Sequence, residues 1–244
     1  MLTIVYASLF YLATAILIGG LVWRIYIYAR TPAPLKIPTM PAPLTRKGVV
    51  LRLGREVIFF ESLFKSNKWI WLFGWIFHVA MLLVILRHLR YFTDPVWAVI
   101  SFIQPLGLYA GFAMLFGLLA LWLRRFVLER MRYISSPSDH LMLILLISIA
   151  ASGFLMQYVT RVDIIGVKVF MLGLLGFNIQ PLPSDPILLT HLGLVITLMI
   201  IFPFSKLLHA PGVFFSPSRN QVDDSREKRH LAPWAAELDT KRGR

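Results

Sequence analysis

The chain has 244 residues, 57% hydrophobic and only 15% charged, with a mean hydropathy of +0.70 and a formal net charge of +13. A water-soluble domain carries roughly 25% charged residues, and here the apolar excess lies in long unbroken blocks, so a soluble globule is excluded. Cysteine is absent, which excludes disulfides, thiolate zinc sites, iron–sulfur ligation and a cysteine nucleophile, and leaves metal chemistry to the 6 histidines.

A helix needs about 17–25 apolar residues to cross a hydrocarbon core roughly 30 Å thick. In chain order, Leu2–Trp23, Trp69–Leu86, Pro95–Leu123, Leu141–Thr160 and Pro186–Ser205 are charge-free and long enough. The first span has no basic residues before it and runs on past Ala13-Thr14-Ala15, so it reads as a retained helix and not as a cleaved signal. Trp23, Tyr26 and Tyr28 form an aromatic belt at its end, matched by Trp69, Trp71 and Trp75 at the start of the second span. Between these two spans, the proline-rich stretch Thr31–Pro43 reads as an extended linker. Arg46–Lys68 then sets Val49, Val50, Leu53, Val57, Phe60 and Phe64 among basic residues at mostly helical spacing. That pattern predicts a helix on the inner membrane surface or against a peripheral subunit. A sixth apolar stretch, Ile164–Gln180, is interrupted by Lys168 and three glycines and reads as an amphipathic or re-entrant segment at the surface. From Pro211 the chain is polar and is expected to be extended. The expected fold is an all-α integral membrane protein with five transmembrane helices. Residues 1–210 form its membrane domain, with a cytoplasmic loop at 30–68, and 211–244 form a cytoplasmic tail.

Lysine and arginine set the orientation. Nine lie in Arg24–Lys68, four in Arg124–Arg132 and eight in Lys206–Arg244, against Arg87, Arg90, Arg161 and Lys168 on the other face. The rich face is expected to be cytoplasmic, which puts the N-terminus outside and the C-terminus inside. The positive charge is then a topology signal that favours anionic lipid or an acidic partner, and not nucleic acid.

Ionisable side chains inside spans are costly and face the bundle interior with a role. His78 and His88 lie on the second span, and His191 and His209 on the fifth. On one continuous helix, His191 and His209 would share a face about 27 Å apart, whereas His78 and His88 are separated by about 15 Å and roughly 80°. The two spans run in opposite directions, so His88 is level with His191 near the outer side and His78 with His209 near the inner side. Each pair can offer two imidazoles to a planar macrocycle, which points to bis-histidine haem and electron transfer. The depth mismatch calls for tilt or for a bend at Pro203. A zinc site would need the histidines to converge on one point. His140, beside Asp139 with Ser138 as a helix cap, reads as structural, and His230 as a solvated surface residue. Arg87 and Arg90 outside, with Arg24 and Lys206 inside, are candidates to neutralise haem carboxylates.

The run from Leu188 to His209, with its Phe-Pro-Phe-Ser-Lys-Leu-Leu-His ending, resembles the last span of the gamma subunit of respiratory nitrate reductase, a five-helix dihaem cytochrome b. Phe77-His78 with His88 resembles that family's second span, and Tyr109-Ala110-Gly111 its third. The resemblance implies an inner haem on His78 and His209, an outer haem on His88 and His191, and quinol oxidation beside the outer haem. The family's lysine early in the third span is not evident. Gln104 sits close to that place, so Gln104 and His88 are the candidates for the quinone site. The long basic stretch Arg24–Lys68 is more similar to the cytochrome b subunit of the sulfite-reduction-associated Dsr membrane complex. That branch implies a cytoplasmic iron–sulfur partner of heterodisulfide-reductase type, further membrane and multihaem cytochrome c subunits, and a place in dissimilatory sulfur metabolism in a prokaryotic cytoplasmic membrane. The expected function is an electron-transfer subunit with two haem b that exchanges electrons with quinone. A nitrate reductase gamma subunit is the alternative within the family, and a cofactor-free membrane carrier or anchor is the alternative of another class.

Overall fold

The computed structural model describes residues 1–33, 35–224 and 237. His230 and most of the tail beyond 224 lie outside the described residues. Among the described residues, five helices are long and apolar enough to cross a membrane: Leu2–Arg30, Lys68–Tyr91, Ala98–Val127, Pro137–Thr160 and Pro186–Phe204. The chain divides into two compact units, Met1–Leu17 with Leu63–Ile201, and Ile18–Ser62 with Phe202–Arg244.

Helix α1 (Leu2–Arg30) begins in the first unit and ends in the second. It passes the expected end at Trp23 because the basic residues that close the apolar window do not stop a helix. Arg24 donates to the Pro203 carbonyl at 3.3 Å and Arg30 to the Tyr26 hydroxyl at 2.5 Å.

In the first unit, α4 (Lys68–His88) starts at Asn67, whose side chain accepts from the Ile70 N–H, and α5 (Ala98–Val127) lies along it. Two glycines of α5 make this approach close. A Cβ on Gly107 would come within 2.9 Å of Arg87 Cβ, and one on Gly117 within 3.0 Å of Phe77 Cβ and 3.1 Å of the Phe73 carbonyl. Small residues at such contacts are how apolar helices pack where there is no hydrophobic drive between them. After the short helix α6 (Glu129–Ile134), α7 (Pro137–Leu155) opens with a capping box. Its cap is Ser136, bonded reciprocally with Asp139, and not Ser138 as expected. With Pro137 at the first helical position, Ser136 occupies the cap.

Helix α8 (Ile164–Leu175) is the sixth apolar stretch and, as expected, not a span; Ile164, Ile165 and Val169 are exposed, and its other face is more deeply packed than a surface segment implies. At 12 residues it is about 18 Å long, too short to span. Its Val167, Phe170, Met171 and Leu174 are nevertheless buried in one core with Ala7, Leu188 and Leu192. Lys168, the residue that suggested amphipathicity, is paired with Asp94 at 2.9 Å. Helix α9 (Pro186–Ile201) then runs beside α7.

The second unit takes over where α9 ends. The turns Phe202–Phe204 and Lys206–Leu208 are 3-10, so no single straight helix joins His191 to His209. Pro203 has no N–H to continue the ladder and is fully buried. The loop expected as one helix is two, α2 (Arg46–Phe59) and α3 (Glu61–Ser66), broken at Phe60 with φ 51°. Glu56 spans the break by accepting from the Ser62 N–H at 3.2 Å, and it also pairs with Arg219. The chain after Leu208 continues through α10 (His209–Gly212) and α11 (Pro217–Asn220), so its described part is not extended as expected. It satisfies the backbone of the proline-rich stretch. Thr39 N–H donates to the Ser218 carbonyl at 2.8 Å, and Lys36 pairs with Asp224 at 2.9 Å.

Candidate functional site

Each of the four span histidines has its Nδ1 within hydrogen-bond distance of an oxygen. His78 Nδ1 lies 2.7 Å from the Gly74 carbonyl and His88 Nδ1 2.7 Å from the Val84 carbonyl, each on its own helix. His209 Nδ1 lies 2.9 Å from the Lys206 carbonyl. A carbonyl can only accept, so each Nδ1 is the donor, and in the neutral imidazole the lone pair is then on Nε2. His191 reaches the same state by another route. Its Nδ1 is 2.9 Å from Ser152 Oγ, and that hydroxyl donates its own proton to the Ser148 carbonyl at 2.7 Å. The serine therefore accepts from His191, so Nδ1 is the donor here as well. His140 packs its ring against Phe126 at 5.2 Å, and among the described residues it has no such bond.

The four sites differ in burial. His191 is buried, His78 half-buried, and His88 and His209 exposed. His191 Cε1 would lie only 3.5 Å from a Cβ on Gly153, so α7 gives the ring both a hydrogen-bond partner and room. Helices α4 and α9 share no interface of the extent that α4 has with α5 or α9 with α7 among the described residues. That separation suits a flat group held between them and not direct side-chain packing.

The basic candidates are all engaged. Arg87 donates to Gln157 Oε1 at 3.2 Å and Arg90 to Gln104 Oε1 at 3.1 Å. Both arginines line a cleft of about 400 Å³ with Val96, Ser101, Gln104 and Pro105. In the second unit, Lys206 and His209 line a cleft of about 460 Å³ with Tyr28, Ser205 and Phe215. Arg24, bonded to Pro203, is not among the residues of that cleft. No group of three or more His, Cys, Asp or Glu converges among the described residues. A porphyrin, which brings four nitrogens of its own, needs only two axial imidazoles, and the donor set fits that requirement.

Residues 60–223 match the nitrate reductase gamma subunit family. The Hdr-like menaquinol oxidoreductase cytochrome b-like subunit of Archaeoglobus fulgidus is 37% identical over 92% of this chain and 81% of its own. The protein of the same description from Archaeoglobus profundus is 34% identical over 94% and 82%. The chain belongs to the nitrate reductase gamma subunit family. Its apolar helices and that membership together make it a multi-pass membrane protein.

For this family member, sequence reasoning missed Ser152, Gly107 and Gly117. Ser152 is one of two serines in the span, with Ser148 one turn before it, and only the fold shows which of them faces His191. Gly107 and Gly117 are ten residues apart, the same spacing as His78 and His88. They contact Arg87 and Phe77, the residues immediately before the two histidines. Neighbours on a helix are about 100° apart, so this contact with α5 sets the rotation of α4 and turns both imidazoles off that interface.

Proposed function

We propose that this chain is the cytochrome b subunit of a menaquinol-oxidising complex in a prokaryotic cytoplasmic membrane. It passes electrons to a cytoplasmic iron–sulfur subunit of heterodisulfide-reductase type. The carrying observation is that all four histidines set Nδ1 within hydrogen-bond distance of a carbonyl or hydroxyl oxygen, the orienting contact that a ligating imidazole makes with its other nitrogen. His88 and His191 are the ligands of an outer haem b. His78 and His209, paired by the family pattern and by their order along the two spans, are those of an inner one. Two imidazoles closing both axial positions restrict a bound haem to one-electron transfer and exclude oxygen binding. Ser152 and the Gly74, Val84 and Lys206 carbonyls hold the imidazoles in orientation and raise their basicity as ligands. Arg87 outside and Lys206 inside are placed to offset the haem carboxylates.

Lysine and arginine asymmetry puts the N-terminus outside and the C-terminus in the cytoplasm. Quinol oxidation beside His88 then releases protons outside while electrons move inward. The basic α2–α3 region and the C-terminal tail face the cytoplasmic partner. The names of the two relatives favour this branch over a nitrate reductase. Further membrane and multihaem cytochrome c subunits and a place in dissimilatory sulfur metabolism belong to the same proposal and rest on the sequence resemblance alone. The test is a difference spectrum of membranes containing the chain after addition of menadiol, a naphthoquinol. Appearance of a reduced b-type spectrum supports the assignment. A haem-loaded chain that menadiol leaves oxidised, or one that binds no haem, overturns it.

A further inference from the structure

We infer that Arg124, at the basic end of α5, holds the phosphodiester headgroup of an anionic phospholipid whose acyl chains lie along the last turns of that helix. Arg124 and Arg125 are neighbours in sequence with opposite surroundings. Arg125 donates to Ser135 Oγ at 2.8 Å and pairs with Asp139 at 3.7 Å, so its charge is met within the protein. Arg124 meets a thioether instead. Its Nη2 lies 2.7 Å from Met131 Sδ, a weak acceptor that carries no charge. Its Nε is buried and has no hydrogen-bond partner. Glu129, the one carboxylate between Arg124 and Asp139, is exposed and pairs with neither arginine. A guanidinium cannot shed its proton, and a charged donor drawn out of water calls for an acceptor.

The place of Arg124 in the fold selects that acceptor. It lies in the last turn of an apolar helix long enough to span. A basic side chain that only marks the end of a span extends its head into water. The head of Arg124 is instead drawn against Met131 of α6 and is half-buried. Beside it on α5, Leu123, Phe126 and Val127 are exposed apolar side chains. On α6, Arg130 and Arg132 are exposed and make no ion pair among the described residues, and Tyr133 next to them is exposed as well. An unmet cation thus sits where a lipid-facing apolar strip joins a basic, aromatic edge. That is the outline of an amphiphile with a negative phosphate and hydrocarbon chains. Basic pockets of this kind at the ends of spans take anionic headgroups. A free phosphate or an acidic protein surface would meet the charge and leave the apolar strip unused. The site involves neither haem nor quinol, so its test is independent of the functional reading above.

The experiment is native mass spectrometry of the delipidated full chain in detergent, titrated separately with dioleoyl phosphatidylglycerol, dioleoyl phosphatidylcholine and inorganic phosphate. The wild-type chain should take up one phosphatidylglycerol ahead of weaker additions, and should bind it about tenfold more tightly than phosphatidylcholine. Arg124→Gln should weaken that first addition by about tenfold, the loss expected of one charge-assisted hydrogen bond. Arg124→Lys, which keeps the charge, should lose less and should fold where the glutamine variant does not. Lys47→Gln removes the same charge from an exposed position on α2 and should leave the first addition unchanged. Helical circular dichroism and a single gel-filtration peak establish that each variant is folded. Equal first additions in the wild type and a folded Arg124→Gln, or equal uptake of the two phospholipids, would overturn the inference. Displacement of phosphatidylglycerol by an equal concentration of phosphate would overturn the lipid as the source of the headgroup. Loss of a co-purified acidic protein in Arg124→Gln, with lipid uptake unchanged, would assign Arg124 to a protein interface and would equally overturn it.

Discussion

His78 and His88 are oriented by their own helix, whereas His191 is oriented by a neighbour. On α4 each Nδ1 meets the carbonyl four residues earlier, so the bond forms wherever α4 is helical. What α4 cannot set for itself is its rotation, which comes from the close contacts of Gly107 and Gly117 on α5. On α9 the order is reversed. His191 depends on Ser152 of α7 and exists in its ligating form only when the two helices are docked. One helix therefore prepares its ligands before assembly and the other during it, so the two should respond differently to substitution.

The largest effect is expected from the ligands themselves. His191→Ala should remove one haem and leave the other, reducing the haem-to-polypeptide ratio from two to one in a pyridine haemochrome assay. It should also abolish rapid reduction by menadiol. His209→Ala should likewise lose one haem but keep rapid menadiol reduction of the remaining one. If both variants retain two haems, the ligand assignment is wrong.

Ser152→Ala sharpens the comparison further. It removes the only cross-helix acceptor for a ligand Nδ1 among the described residues, and loss of such a partner costs about 10- to 100-fold in metal affinity. Haem dissociation to apomyoglobin should show one fast and one unchanged phase. No sequence change off α4 can remove the bonds of His78 and His88, so no equivalent single substitution exists for them.

A smaller effect is expected at the α4–α5 contact. Gly117→Ala forces its methyl against Phe77 and the Phe73 carbonyl, and overpacking of this kind costs about 1–3 kcal/mol. Thermal unfolding followed by haem release should begin at lower temperature. Gly111→Ala is the control, because a methyl there meets nothing within 4 Å. It should change stability by less than about 0.5 kcal/mol. Equal behaviour of the two variants would show that α5 does not set the rotation of α4.

The sequence carried the five spans because length and absence of charge are local properties, and it carried the four histidines because ionisable groups in apolar spans stand out. It did not carry the ends of those spans. Arg24 and Arg30 closed the apolar window of α1 but not the helix, and both found carbonyl or hydroxyl partners within reach. Ile164–Gln180 is legible as a segment that does not span, but its buried face is not, for a related reason. Lys168 looked like the polar face of a surface helix until its pairing with Asp94, 74 residues away in sequence, removed that cost. Pro203 was legible as a bend, yet the replacement of helix by two 3-10 turns between His191 and His209 was not. Ser152 and the α5 glycines act across helices, and nothing in their own neighbourhoods shows which helix they face.

The most direct test is the amount and spin state of haem in the purified chain, read by pyridine haemochrome and low-temperature electron paramagnetic resonance. Two haem b per polypeptide, both low-spin and six-coordinate, are expected if four Nε2 atoms serve as axial ligands. A high-spin five-coordinate signal, or a purified and folded chain that takes up no haem, would contradict the assignment of His78, His88, His191 and His209.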